Sequence, residues 1–270
     1  MKKISLIGVA GYVAKKHLTA IKETKNQLTS AFDIHDNVGI LDSFFPDCDF
    51  FVNYERYERF IYKNSKKIDY ITICSPNYLH DTHMRLALKN NIDVICEKPL
   101  VINYRNLKYL KQVEKDTKKK INCILQLRLH QNVKELKKSK DKIKNINITY
   151  ISPRGKWYSK SWKGNENKSG GIETNIGIHL FDLLHYVFGK SKNIEVYYRN
   201  NKTSSGTMEF GKVKVKWFLS IDRKFLKYRK DNNKNFIREF DVDGKKIDFS
   251  EGFHNLHAKS YEMILKNKGF

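Results

Sequence analysis

Short apolar runs alternate with amphipathic stretches through the first half of the chain. Residues 3–7, 28–32, 69–74, 92–96 and 121–125 read as strands, and residues 17–24, 81–90 and 107–117 as helices. Strands separated by helices of this length imply βαβ units, hence an α/β fold with a doubly wound parallel sheet. The second half follows another pattern. One long apolar-patterned helix, residues 174–188, opens a region of alternating strands at 194–198, 207–210, 213–220 and 237–242. That order predicts an α+β domain with an open mixed or antiparallel sheet and a helix on one face. The boundary is placed near residue 128, dividing the chain into 1–127 and 128–270. The polar stretch 227–234 reads as a hairpin loop.

Composition narrows the class. At 270 residues, 40% of them hydrophobic, the chain is long enough for two modest domains. No uninterrupted apolar run approaches the ~18 residues of a membrane span. The opening Met1-Lys2-Lys3 and the apolar residues after it have the outline of a short signal peptide, but the segment reads completely as a first strand and turn. A cytoplasmic protein is therefore expected. The four cysteines, Cys48, Cys74, Cys96 and Cys123, include no C-x-x-C pair, and buried reduced thiols are expected.

The formal charge of +23, from 52 basic against 29 acidic residues, raises nucleic acid as a partner. The basic residues are mostly scattered lysines among many Asn and Ile, and the densest run is only Lys118-Lys119-Lys120. No RNA-binding or zinc-finger signature accompanies them. The charge is read as a residue bias that also favours an anionic small substrate, with no nucleic-acid or membrane partner.

Five segments carry candidate chemistry. The turn after the first strand, Gly8-Val9-Ala10-Gly11-Tyr12-Val13-Ala14, lies where a dinucleotide's pyrophosphate meets a helix N-terminus. It departs from G-x-G-x-x-G, because Ala10 takes the second glycine position and Gly11 follows directly. Asp33 ends the second strand, where a carboxylate accepts ribose hydroxyls and repels the extra phosphate of NADP. A glycine turn in a non-binding domain is the plain alternative. The second segment is the sheet-end loop Ser75-Pro76-Asn77-Tyr78-Leu79-His80, whose polar groups either meet a ligand or cap the next helix.

The third segment is Ile95-Cys96-Glu97-Lys98-Pro99-Leu100. It places a lysine at the carboxyl end of a buried strand, where open parallel sheets hold their ligands. A surface lysine ending a strand is the alternative. The fourth, Asn175-Ile176-Gly177-Ile178-His179-Leu180-Phe181-Asp182, sets Asn175, His179 and Asp182 on one helical face. His179 suits a proton acceptor, Asp182 is its orienting carboxylate or salt partner, and Gly177 is expected to leave room for a bulky group. H-E-x-x-H is absent and His185 is too far along to pair with His179, so no metal is expected. In the fifth, between the third and the fourth along the chain, Arg154, Lys156, Trp157, Trp162 and Lys163 offer charge for phosphate or carboxylate and faces for a base or sugar.

Together these segments resemble the NAD(P)-dependent sugar and polyol dehydrogenases typified by glucose-fructose oxidoreductase and inositol dehydrogenase. Glu97-Lys98-Pro99, the Ser75-Pro76…His80 loop and the Asn175…His179 helix fall in that family's order and spacing. Gly8 to His17, Cys74 to His80, Val94 to Leu100, Ile124-Leu125-Gln126-Leu127-Arg128 and Arg154 to Gly164 look like its UDP-N-acetylglucosaminuronate 3-dehydrogenase branch, from bacterial surface-polysaccharide (lipopolysaccharide) pathways.

The resemblance implies a Rossmann domain with NAD as cofactor, contacted by Gly8, Ala10, Gly11, Tyr12, Val13, Asp33, Ser75, Asn77, His80, Glu97, Lys98 and Gln126. It implies catalysis by Lys98 and His179 at the sugar 3-hydroxyl. A UDP-sugar would be held by Lys98, Arg154, Trp162, Asn175 and His179. It further implies a homo-oligomer, tetramer or dimer, and 2-oxoglutarate as a hydride acceptor if the cofactor is recycled in place. Two departures accompany it. The family's usual aspartate four residues before the histidine is Asn175, and the chain stops before the helix that normally packs back on the cofactor domain. A dehydrogenase of a free sugar or inositol, and a catalytically silent binder of NAD or sugar, are the alternatives.

Overall fold

The computed structural model describes residues 1–227, 235–249 and 251–270. The polar stretch expected as a hairpin loop at 227–234 lies, apart from Lys227, outside the described residues. The chain divides into two compact units, Met1–Gln126 with Asn255–Phe270, and Leu127–His254.

The first unit runs β1 (Lys3–Ile7), α1 (Ala14–Glu23), β2 (Gln27–Phe32), α2 (Ile40–Phe44), β3 (Asp49–Phe51), α3 (Tyr54–Asn64), β4 (Tyr70–Ile73), α4 (His80–Lys89), β5 (Asp93–Cys96), α5 (Arg105–Thr117) and β6 (Ile121–Cys123). The sheet order is β3-β2-β1-β4-β5-β6, with all pairings parallel. A parallel sheet is covered on both faces, which is why β1, β4 and β5 read as near-continuous apolar runs. One face packs Ile71, Ile73, Val94 and Met84 with Tyr57 and Ile61 of α3. The other packs Ile4, Leu6 and Ile95 with Leu18 and Ile21 of α1. Ser5 sits in β1 without exposure because its hydroxyl meets Ser30 Oγ and Tyr57 Oη, each at 2.7 Å. Chain order reverses between β1 and β4, and the crevice outside the carboxyl ends there is the ligand position of such sheets.

The second unit holds α6 (Gln131–Ser139), β7 (Asn145–Ile151), α7 (Lys156–Lys160), α8 (Glu166–Ser169), α9 (Ile178–Phe188), β8 (Asn193–Arg199), β9 (Thr203–Phe210), β10 (Val213–Ser220), β11 (Ile237–Val242) and β12 (Lys245–Asp248). Its sheet order is β12-β11-β7-β10-β9-β8. β7 and β10 pair in parallel and the other neighbours antiparallel, so the sheet is mixed. On β10, Val213, Val215, Trp217 and Leu219 point into a core shared with Leu180, Leu183, Leu184 and Val187 of α9, while Lys214 and Lys216 are exposed. β8 is exposed along its whole length.

The last helix, α10 (Leu256–Leu265), corrects the expected boundary. Residues 128–270 do not stay together, because residues 255–270 belong to the first unit. Ala258, Tyr261 and Ile264 form a helical stripe at a spacing of three and bury it in the cluster holding Leu18 and Ile21. Phe270 then accepts a hydrogen bond from the Cys123 N–H at 2.7 Å, beside β6.

Candidate active site

In the first unit, the turn between β1 and α1 is built by steric need. Gly8 has φ +90°, and a Cβ on it would lie 2.6 Å from the Ser75 nitrogen and 2.7 Å from the Cys74 carbonyl carbon. Only glycine lets the β1 and β4 loops approach so closely. Gly11 N–H bonds Gly8 O at 3.1 Å, and Ala14 N–H bonds Gly11 O at 3.0 Å, winding directly into α1. The helix thus begins at Ala14, ahead of the expected start at His17. Gly11 and Tyr12 are exposed and Ala10 and Val13 half-buried. Asp33 is buried, and its carboxylate accepts from Ala10 N–H at 2.9 Å and His35 N–H at 3.0 Å. A carboxylate has about four acceptor sites, so Asp33 can hold the turn and still accept a ribose hydroxyl.

Gly8→Ala is expected to cost about 1–3 kcal/mol for the strained φ alone, and to weaken dinucleotide binding because the two loops are forced apart. Thermal unfolding and a cofactor titration check this. A variant matching the wild type in both would mean that the turn tolerates a side chain.

The β4 loop is tied to the β5 turn. His80 places Nδ1 2.7 Å from Pro99 O and Nε2 2.8 Å from Ser75 O. Burial pulls its pKa down, against the two carbonyls, which favour the charged ring. Ser75 Oγ meets His83 Nδ1 at 2.9 Å, so Ser75 bonds inside the helix rather than capping it. Asn77 is buried in a short turn at Asn77–Leu79. Lys98 is half-buried after β5. The preceding Glu97 accepts from His17 Nε2 at 3.0 Å and from His257 Nε2 at 3.3 Å. Gln126, at the end of the unit, carries a buried Oε1 that has no hydrogen-bond partner among the described residues, a feature that suits a ligand amide or hydroxyl.

In the second unit, the helix around His179 starts differently from the expected regular helix over 174–188. Residues Glu173–Gly177 form a π-helical turn ahead of α9. Such wide turns shift the side chains before them relative to those after, and they recur at functional sites. Asn175 Nδ2 donates to Tyr158 Oη at 2.8 Å, and His179 is half-buried at the start of α9. Asp182 does not orient His179. It takes a two-pronged bond from Arg128, with Nε at 2.8 Å, and the Arg128 guanidinium also lies 5.0 Å from the Tyr186 ring centre. Nor does Gly177 leave room for a ligand. A Cβ there would meet Leu219 Cδ1 at 2.7 Å and Phe181 Cε2 at 2.8 Å, so the glycine serves core packing.

The Arg154 segment is a basic groove. Arg154, Lys156, Lys202 and Arg223 line a cleft of about 270 Å³ with Tyr158 and Asn201, opposed by Asp222. Lys163 Nζ lies 5.2 Å from the Trp157 ring centre and 5.6 Å from that of Trp162, so both indoles meet a cation as well as offering a face. Burial, and then the positive charge of Arg154, pull the Lys163 pKa down. An anion arriving there would relieve the repulsion.

Sequence reasoning missed several partners. Arg128 with Asp182, and Tyr158 with Asn175, come from residues far apart in the chain. His17 and His257 on Glu97 are 240 positions apart. The only local signal was the His257/Tyr261 spacing of four on an otherwise apolar helix face.

Comparison with known proteins gives a consistent picture. Residues 2–124 match the family described as oxidoreductase family, NAD-binding Rossmann fold, and residues 141–223 match its C-terminal alpha/beta domain. The chain is 40% identical to the WlbA (WbpB) dehydrogenase of Thermus thermophilus, covering 100% of this chain and 90% of that one. The TM-score is 0.95 to the complex with NAD and alpha-ketoglutarate, and 0.94 to the complex with NAD and UDP-GlcNAcA. It is also 27% identical to glucose-6-phosphate 3-dehydrogenase of Bacillus subtilis, over 98% of this chain and 77% of that protein.

Proposed function

Since this chain belongs to the oxidoreductase family whose first domain is an NAD-binding Rossmann fold, we propose that it oxidises the 3-hydroxyl of UDP-N-acetylglucosaminuronic acid to the 3-keto sugar nucleotide. The observation that carries the substrate is the 40% identity spanning the whole chain to a dehydrogenase crystallised with that sugar nucleotide. The basic groove at Arg154, Lys156, Lys202 and Arg223 supports it, because a diphosphate and a carboxylate both need cations.

The residues present fit NAD. Gly8 makes a cradle that a Cβ would fill, Asp33 stands beside it, and Gln126 offers a buried carbonyl oxygen. When bound, NAD supplies the acceptor for the hydride leaving the sugar C3. His179 takes the proton of the 3-hydroxyl as general base. Lys98 donates a hydrogen bond to the same oxygen, stabilising the negative charge that develops on it. Ser75, Asn77, His80 and Glu97 shape the cofactor end, while Arg154, Trp162 and Asn175 hold the sugar nucleotide.

The reading includes a cytoplasmic dimer or tetramer working in lipopolysaccharide sugar synthesis. No described helix is long and apolar enough to cross a membrane. The exposed Ile194, Val196, Tyr197 and Tyr198 of β8 offer an apolar surface for assembly.

The test mixes purified protein with NAD and UDP-N-acetylglucosaminuronic acid, with and without 2-oxoglutarate, and follows the near-ultraviolet absorbance of NADH. A rise with the sugar nucleotide is expected. A single-turnover rise that becomes steady keto-sugar formation only with the oxo acid would mean that the cofactor is recycled in place. A second reading, oxidation of a phosphorylated free sugar, draws on the likeness to glucose-6-phosphate 3-dehydrogenase. It replaces the first if glucose 6-phosphate gives the signal and the sugar nucleotide does not.

A further inference from the structure

Glu97 has no chemical step in the reaction above, yet its carboxylate lies 7% exposed at the end of an apolar strand. A charge there is costly unless it is paired and hydrogen-bonded. Three separate segments supply the pairing. His17 of α1 and His257 of α10 both reach Oε1, with Nε2 at 3.0 and 3.3 Å, and the Lys98 backbone N–H reaches Oε2 at 3.3 Å. Burial on its own would raise the Glu97 pKa. The bonds from the two histidines hold it well below the usual carboxylate range.

The protons of this cluster follow from the ionised acid and a neutral, fully buried His17. Nε2–H of His17 points at Glu97, so its Nδ1 is an acceptor, and Tyr261 Oη–H donates to it at 2.9 Å. Thr72 Oγ1–H then donates to Tyr261 Oη at 3.0 Å. His257 and Tyr261 are four apart and share a face of α10, so one helix delivers both groups to β5 and β4. The other titratable groups near Glu97 are Cys74 and Cys96, kept neutral by burial, His80 across the turn, and Lys98. Lys16 acts on His17 from its own helix.

We infer that His257 is a positioning residue: with His17 it holds the Glu97 carboxylate and so fixes the turn that presents Lys98. The C-terminal helix thereby completes the cofactor unit's catalytic end. The inference rests on the reading that Lys98 serves the reaction.

The test compares full-length His257→Leu, His257→Gln and Lys98→Ala by steady-state kinetics across pH, by NAD titration through protein fluorescence, and by thermal unfolding. His257→Leu is expected to lower kcat about 10–100-fold, the size seen for outer-shell partners of metal ligands, while NAD affinity is kept. The carboxylate loses a donor that favours its charged form, so the lowest-pH limb of kcat/KM, where Glu97 itself protonates, should move up. His257→Gln, whose amide N–H replaces the Nε2–H, should restore both the rate and the limb. If His257→Leu lowers the Tm while kcat and the pH profile stay as in the wild type, the helix is only an anchor and the positioning role is overturned. If Lys98→Ala keeps the wild-type rate, the reading beneath it fails as well.

Discussion

His179→Ala is expected to lower kcat about 10²–10⁴-fold, the usual contribution of a positioned general base, and Lys98→Ala to cause a loss of similar order by removing the donor to the developing negative charge. KM for the sugar nucleotide should rise more in Lys98→Ala if the lysine also binds the ground state, whereas loss of His179 should fall mainly on kcat. His179 lies half-buried at the start of α9, directly after a π-helical turn. Asp182 is committed to Arg128, so it does not orient the ring. Asp182→Asn, with His179 in place, should therefore leave the rate of the chemical step close to that of the wild type. Stopped-flow measurement of NADH formation decides this, since it isolates the chemical step from product release. Retention of the wild-type single-turnover rate in either alanine variant would remove that residue from the chemistry.

Acid is expected to destabilise the first unit well before its carboxylates are protonated. His83 is buried against Ser75, and desolvation, with a smaller push from His80, lowers its pKa from 6.5 to about 4. Burial lowers His17 and His80 as well. In the unfolded chain these rings protonate near pH 6.5, while the folded chain resists, so the unfolded state binds more protons and stability falls as pH drops through that window. For His83 alone the loss by pH 5 is about 2 kcal/mol, approaching 3 kcal/mol near pH 4. Glu97, whose pKa is lowered in the fold, adds its own loss only below the ordinary carboxylate pKa. Urea unfolding at pH 7 and pH 5 should show the midpoint falling with an unchanged slope, and His83→Gln should flatten the dependence. Equal midpoints at the two pH values would contradict the buried, neutral state of these histidines.

The same cluster explains where reading from sequence ran out. Gly8, Asp33, Ser75 and Lys98 were legible because each stands at the carboxyl end of a strand, and strand ends follow from local apolar periodicity. Glu97 was legible as part of a motif but not as an anion with partners, since those partners come from α1 and α10. The short β3 and helix α3 escaped the hydrophobic pattern. β3 has only three residues, and α3 buries just Tyr57 and Ile61 among charged neighbours. β7 was hidden by its asparagines, although Ile146 and Ile148 are buried on one face.

Periodicity, turn residues and the Glu97-Lys98-Pro99 segment were enough, within the sequence itself, to determine a doubly wound α/β unit followed by an α+β unit. They also pointed to a candidate dinucleotide turn and to Lys98 and His179 as candidate groups, because these readings depend on residues close in the chain. Which acid pairs with which base was decided only by tertiary structure. Asp182 went to Arg128 instead of His179, Gly177 to the Leu219 and Phe181 packing, and Glu97 to His17 and His257. A buried charge takes whichever donor the fold brings within about 3 Å, and that choice lies in long-range packing, which leaves no periodic trace along the chain.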